Sequence, residues 1–457
     1  MCASMTQNGN NLALSLSEVS LARNKTANKT SVVSQATEIS RPDNYIPIGR
    51  RSVRLVHDTH GITKEWLTEV YRLRKFVKPD GKVLSFETKP IGEGGGVMGV
   101  LARVSVELEG KEPHAPESFV AKFSPVKTSM PGMVIRAIFG AEAHWYNDFH
   151  EEDQGLGRPA AFFIGAKLFH KRFWKRKPVF CMLVEEMPQP LYSRISGCDK
   201  LDHLRLVMAS LGAFHARWWN HPKCAPIEWV SRPGTDNFGL MKNALIFSVK
   251  RGLPALEKVF GDTFKPIFEW KSMIRSRLKW IVNEFYAPPS TLCHGDVHLD
   301  NIFFHEDFPT GMKMIDFGNI VFAQGGFDVA YFLAQNVEPE LRKICEKELM
   351  ELYHRKLVEG GVEDYSLDAC WRSYRLNLFR VLINIMYVTY DQFVKQKKKK
   401  LGMFADEPTP GDAKLLETYE ALNRRLVAAL VDAEFEKFLE EEGEDRHHVC
   451  SFLPICA

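Results

Sequence analysis

The stretch "TLCHGDVHLDNIFF", residues 291–304, sets His294, Asp296, His298, Asp300 and Asn301 within eight positions. Two readings of it lead to different proteins. His294, Asp296, His298 and Asp300 alternate at spacing two, so on an extended strand they would share one face and form a metal ladder. The other reading takes Asp296 and Asn301 as the working pair of a phosphate-transfer loop. "MKMIDFGN", residues 312–319, bears on the choice because it places Asp316 downstream of the pair. "NIFF" and "MKMI" read as short strands joined by the turn-rich "HEDFPTG". That hairpin would bring Asn301 and Asp316 to neighbouring strand ends. An amide oxygen and a carboxylate are hard donors suited to Mg²⁺. Asp296, displaced on the loop, would accept a hydroxyl proton and orient the nucleophile. The ladder gives Asp316 no role and fails if Gly295 makes a sharp turn. His294 is then expected to anchor the loop through side-chain hydrogen bonds. His298 is left between facing substrate and acting as a second anchor. Asp300 is expected at the surface.

Upstream, "GEGGGVMG" (92–99) lies between two strand-like runs. Glycines allow close backbone approach, and N–H groups in such a turn can cradle phosphates. A flexible hairpin turn is the plainer reading. No helix follows, so this is not a dinucleotide fingerprint, and no Gly-Lys-Ser/Thr makes it a Walker loop. In "SFVAKF" (118–123), Phe119, Ala121 and Phe123 share one strand face, and Lys122 points the other way. It is read as an edge or surface lysine, or as one reaching under the glycine hairpin toward ATP phosphates. Glu142, on the following helical stretch, would pair with it in the second case, although Glu151 and Glu152 lie close by.

A chain of 457 residues is expected to split into lobes. A net charge of +3 gives no excess for nucleic acid, and lysine runs lack interleaved aromatics. No apolar run approaches the roughly 20 residues of a membrane span, so no stable membrane insertion is expected. Nine cysteines without a C-x-x-C pair indicate reduced thiols and a cytoplasmic setting. Residues 1–42 are rich in Ser, Asn, Thr and Ala and are expected to be disordered. A transit peptide is the alternative, weakened by only two arginines in the first 41 residues. The sequons at Asn24 and Asn28 carry little without a secretory signal. The basic run Lys395–Lys400 reads as a solvated loop or helix end, with an anionic contact as the alternative.

"TKEWLTEVYRLRKF" from Thr63 has helical spacing, whereas Val104, Val106 and Leu108 alternate as in a half-buried strand. "PVFCMLVEEM" ends an apolar strand at Glu185 and Glu186. Beyond Pro190 the pattern turns helical. Leu201, Leu204, Val207, Leu211, Phe214 and Trp218 form one stripe, and residues 335–395 and 412–440 read mainly as helix. The expected division is a tail at 1–42, a strand-rich lobe at 43–187, a helical lobe at 188–445 and a tail at 446–457. Trp218, Trp219, Tyr374 and Tyr387 are assigned to core packing, with an acceptor-pocket wall as the alternative.

The pattern H-G-D-x-x-x-x-N followed by I-D-F-G resembles the aminoglycoside phosphotransferase/choline kinase group. Its order of motifs is also similar through "SFVAKF", "EAHWYNDF", "MLVEEM", "GAFHARWW" and "GGFDVAYFL". Within that group the chain is most similar to the ecdysteroid-kinase-like, CHK-type phosphotransferases, over about residues 60–440. The resemblance implies an α+β, bilobal protein-kinase-like fold, with a small antiparallel-sheet N-lobe and a larger, mainly helical C-lobe. It implies an ATP- and Mg²⁺-dependent transfer of phosphate to a small hydroxylated metabolite. Gly92, Gly94 and Gly99 would belong to the loop covering the phosphates. Lys122 would contact the α- and β-phosphates, held by Glu142. Glu185 and Met187 would offer backbone hydrogen bonds to adenine. Asp296 would be the catalytic base, and Asn301 and Asp316 the Mg²⁺ ligands. Asp328 would brace the catalytic segment. Gly295 stands where protein kinases carry arginine, and no A-P-E follows Asp316, so a protein-kinase activation segment is unsupported. A catalytically silent nucleotide-binding scaffold and a metallohydrolase are the competing classes.

Overall fold

Thr63 opens the first helix, Lys64–Leu73, by accepting the Trp66 N–H on its hydroxyl at 3.1 Å. The helix buries Trp66, Leu67, Val70 and Tyr71 against one face of a sheet. The computed structural model describes residues 53–91, 99–125, 132–149, 156–167, 177–220, 227, 229–230, 232, 236–395 and 410–449. The tail at 1–42, its sequons, Gly92, Gly94, Glu151, Glu152 and all but the first lysine of the run at 395–400 lie outside the described residues.

The sheet comprises β1 (Val77–Pro90), β2 (Val100–Lys111), β3 (Ser118–Phe123), β4 (Ala161–Lys167) and β5 (Val179–Glu185). All pairs are antiparallel, in the order β1-β2-β3-β5-β4. Lys122 therefore sits on the central strand, opposite Met182 of β5, and the edge-lysine reading is set aside. β4 is absent from the sequence-based reading because its apolar run does not alternate. A register shift between Ala161 and Phe163 accounts for this: adjacent Phe162 and Phe163 both enter the same core.

Two hydrophobic clusters divide the packing. The smaller joins the first helix to one face of the sheet through Phe119, Phe123, Phe163 and Leu183. The larger takes Phe180 and Met182 from the sheet, the helix Gly132–Asp148, and most of the helical lobe. That helix thus ties the sheet to the rest of the protein.

The helical lobe runs through Leu201–Arg217, Asp236–Phe260, Lys265–Glu269 and Lys271–Glu284. Four short strands follow: β6 (Thr291–Cys293), β7 (Ile302–Phe304), β8 (Met312–Met314) and β9 (Val321–Ala323). β6 pairs with β9 and β7 with β8, as the hairpin reading of "NIFF" and "MKMI" expected. The next helix, Gly326–Asn336, is buried at every position. Pro339–Glu359, Leu367–Val388, Pro410–Asp432 and Phe435–Val449 complete the lobe. The last helical region is broken at Glu434, whose φ is +48°, and it runs on to Val449, past the expected limit at 445. Trp218 and Tyr374 pack in the core, and Trp219 is partly buried against Tyr365. Tyr387 departs from expectation: it is 55% exposed near the end of its helix.

Candidate active site

The burial alternation of β3 leaves Lys122 on the face opposite Phe119, Ala121 and Phe123. Its Nζ lies 2.7 Å from Glu142 Oε2 and 3.0 Å from Asp316 Oδ1. Glu142 comes from the helix Gly132–Asp148 and is buried. Burial pushes the Glu142 carboxyl up to about 7, against the pull of Lys122 and with help from Asp316. Burial alone would lower the Lys122 ammonium, but Glu142 and Asp316 outweigh it and hold the group above its ordinary value. The lysine is thus kept charged at neutral pH.

Asp316 adopts φ 65°, ψ 62°, a left-handed conformation uncommon for a residue with a side chain. The next residue explains how it is held. Phe317 stacks on Trp145 at 4.6 Å and meets the His294 ring at 4.7 Å. Gly318 follows because a Cβ there would come within 2.8 Å of Ile138 on the packed helix.

Gly295 has φ +82°, and a Cβ on it would lie 2.2 Å from Asn319 O. The sharp turn removes the strand alternation, so His294, Asp296, His298 and Asp300 do not form the ladder. The His294 and Gly295 N–H groups donate to the two oxygens of Asp328 at 2.6 and 2.9 Å. The His294 ring accepts the Asp296 N–H on Nδ1 at 3.3 Å, which leaves Nε2–H to donate to Ile315 O at 3.0 Å. Burial lowers its pKa, consistent with a neutral ring.

Asp296 Oδ1 accepts from Tyr331 Oη at 2.8 Å, and Oδ2 from Asn319 Nδ2 at 3.1 Å. Burial would raise this carboxyl, but His298, Arg194 and the Tyr331 hydroxyl together hold it well below the usual carboxylate range. It is ionised at any physiological pH. His298 Nε2 stands 3.5 Å from Asp296 Oδ1 and 3.2 Å from Asn301 Nδ2. Asp300 is exposed, 3.8 Å from Arg194 Nε.

Asn301 Nδ2 donates to Asp296 O at 3.0 Å, which fixes the amide plane and leaves Oδ1 free of that bond. Ile315 N–H donates to Asn301 O at 3.0 Å, so β7 and β8 bring Asn301 beside the residue preceding Asp316. The Asp316 side chain is 41% exposed. An amide oxygen and an accessible carboxylate on adjoining strand ends make a donor set that fits a hard, oxygen-preferring ion such as Mg²⁺.

At the other end of the sheet, the Glu185 N–H is bonded to Ala160 O at 2.8 Å, and its carboxylate grips Lys313 Nζ at 2.7 and 2.8 Å. Glu186 binds Arg103 and Ser118. Met187 lies just beyond β5. A side chain on Gly99 would crowd Phe123 O at 3.2 Å and Phe139 at 3.3 Å, so the glycine lets β2 start against β3.

Several site residues were not singled out by sequence. Asn319 closes the quoted "MKMIDFGN", and Tyr331 lies three residues after Asp328, a helical spacing that puts both on one face. The His215 ring nitrogens meet Asp328 Oδ2 at 3.2 Å and Tyr353 Oη at 2.7 Å. Asn336 accepts the Leu299 N–H at 3.0 Å and donates to Val297 O at 3.2 Å. His215, Cys293 and Asp328 gather donor atoms within 4.8 Å of one another, but all three already hydrogen-bond inside the protein. This cluster is read as packing support for the loop.

An antiparallel sheet lobe set on a helical lobe, with a lysine, a glutamate and two aspartates converging around a glycine-turned loop, is the protein-kinase-like arrangement. The profile of the ecdysteroid kinase-like family matches residues 93–219 and 238–363, more than half of the chain. The chain belongs to the ecdysteroid kinase-like family. Among solved structures it is similar to an ethanolamine kinase from Plasmodium vivax, at 14% identity over 87% of this chain and 98% of that one, with a TM-score of 0.45. It is similar to a choline kinase from Cryptosporidium parvum, at 12% identity over 82% and 96%, with a TM-score of 0.44. A candidate aminoglycoside phosphotransferase from Ralstonia eutropha matches at 11% identity over 81% and 98%, with a TM-score of 0.45. No curated protein matches in sequence. Among the described residues, no helix is long and apolar enough to cross a membrane.

Proposed function

We propose that this protein transfers the γ-phosphate of ATP to a hydroxyl of a small metabolite, with Mg²⁺ as its ion. The observation that carries this is the Lys122 bridge, which joins Glu142 and Asp316 from distant parts of the sequence. In this reading, residues 43–187 hold the nucleotide and 188–445 the acceptor. Lys122, braced by Glu142, meets the α- and β-phosphates, and Gly92, Gly94 and Gly99 lie over them. The Glu185 carbonyl and the Met187 backbone receive adenine; the Glu185 N–H is already committed to Ala160. Asn301 Oδ1 and the Asp316 carboxylate hold Mg²⁺, which when bound offsets the negative charge of the phosphates.

Asp296 receives the hydroxyl. Each of its oxygens already accepts one hydrogen bond, and a carboxylate oxygen has room for a second. Its depressed pKa makes it a weak base. That suits phosphoryl transfer, where positioning dominates and little proton abstraction is needed before the phosphoryl group leaves its donor.

The test is a screen of hydroxylated acceptors with purified protein, γ-labelled ATP and Mg²⁺, reading transfer of label. Asp296→Asn should keep ATP affinity and lose roughly 10²–10⁴ in turnover, the range of a positioned acid–base group. Asp316→Asn should weaken Mg²⁺–nucleotide binding itself. Full turnover in both variants would sink the assignment, and ATP binding without transfer to any acceptor would favour a scaffold.

A further inference from the structure

Arg194 pairs loosely with Asp300, on the same loop as Asp296, with whose charge it also interacts, and it has no place in the nucleotide roles above. It belongs to a tight turn in which Gly197 N–H closes on Ser193 O at 3.0 Å. Arg425 fixes that turn from the helix Pro410–Asp432. Its guanidinium donates to Arg194 O at 2.6 Å, Ile195 O at 2.5 Å and Gln335 O at 3.0 Å. Arg425 is itself buried and paired with Glu338. Gly197, at φ +70°, lies against it: a Cβ there would be 3.0 Å from Arg425 Nη2. Arg194 is therefore held at its own carbonyl and at the next one, while its side chain stays 20% exposed.

The guanidinium keeps donor capacity to spare. Its Nε is buried and meets no acceptor at hydrogen-bond distance. Asp300, the carboxylate it pairs with, is 3.8 Å away and exposed. Asp296 acts on it, but Asp296 is shared with Asn319, Tyr331 and His298. The Tyr419 phenol is hydrogen-bonded to the guanidinium, and the Tyr331 phenol faces it. A guanidinium offers five N–H donors in a planar fork that matches a carboxylate, sulfate or phosphate. An arginine held by its backbone, reachable by solvent and with donors left over is built to take such a group.

We propose that Arg194 selects the acceptor, binding an anionic group close to the hydroxyl that is phosphorylated, so that the substrate class is hydroxylated acids. This rests on the phosphotransfer reading above, and a binding measurement separates the two. Matched probes are glycerate against glycerol, and a bile acid against the corresponding bile alcohol. Calorimetry without nucleotide, on the wild type, Arg194→Gln and Arg194→Lys, reads recognition independently of transfer.

The wild type should bind the acid of at least one pair about tenfold more tightly than its alcohol, roughly the effect of one charge-assisted hydrogen bond. Arg194→Gln should erase that preference, and Arg194→Lys should keep part of it, with ATP affinity unchanged in both. Where transfer is measurable, Arg194→Gln should raise KM for the acid and spare kcat. No preference for the acid in either pair, or a preference that survives Arg194→Gln, overturns the proposal. So does an equal fall in kcat toward acid and alcohol, which would place Arg194 on the transferring phosphoryl group. Failure to transfer phosphate, with the acid preference intact, would overturn only the phosphotransfer reading.

Discussion

In the reaction proposed above, Asp296 would need aim more than basicity. Tyr331 and Asn319 each occupy one of its oxygens, which fixes the plane of the group. Tyr331→Phe should therefore lower kcat by about tenfold, the worth of one hydrogen bond to a charged group, with KM for ATP unchanged. Steady-state kinetics on that variant would check it. Glu142 yields a pH prediction. Its folded-state value near 7 lies above its ordinary 4.5, so the folded protein holds a proton that the unfolded chain releases. Stability from this group is complete below about 4.5 and is lost as pH rises through about 7. Glu142→Gln should flatten that decline in a series of thermal melts across the same window. The neighbouring placement of Asp296, Asn301 and Asp316 could be read from residue type and spacing. That of Asn319 and Tyr331 could not, because a polar residue near a motif carries no sign of which way its side chain turns.

The loop that follows β6 owes its path to two features of different kinds. Gly295 supplies a backbone conformation that side chains resist, in a space closed by Asn319 O. Gly295→Ala should be destabilising by more than about 2 kcal/mol, combining αL strain with a backbone clash, and should abolish transfer. Denaturant unfolding would measure it. Asp328 supplies acceptors for two consecutive buried N–H groups. Asp328→Ala should cost on the order of 2–5 kcal/mol, since both donors are left without partners in a dry site. The β7–β8 hairpin could be read directly, because turn-rich residues separate two short apolar runs. β4 could not. A strand that places neighbouring phenylalanines in one core across a bulge leaves no period-two trace. The exposed Tyr387 shows the converse limit, as an aromatic on a helical stretch need not face inward.

At the scale of the molecule, Lys122 connects the sheet to the helical lobe through Asp316, and the helix Gly132–Asp148 packs on both. A nucleotide–Mg²⁺ complex bound there would engage both lobes at once. Saturating ATP with Mg²⁺ should raise the unfolding free energy by about 2.7 kcal/mol at a hundredfold excess over Kd, and chelation of the ion should remove most of that gain. A thermal-shift titration with and without EDTA measures both. The general architecture followed from the change of hydrophobic period near Pro190. The tie between lobes did not, since it depends on side chains far apart in sequence.

The Arg425 anchor comes late in the chain. Lys122, Asp296 and Asp316 are all synthesised before the helix that carries Arg425. Domains tend to acquire structure from the N-terminal end during synthesis. A growing chain would thus possess its nucleotide-side residues while the turn around Arg194 still lacked its clamp. On the reading proposed above, the contact that fixes the acceptor-side turn would be among the last the protein makes at the ribosome.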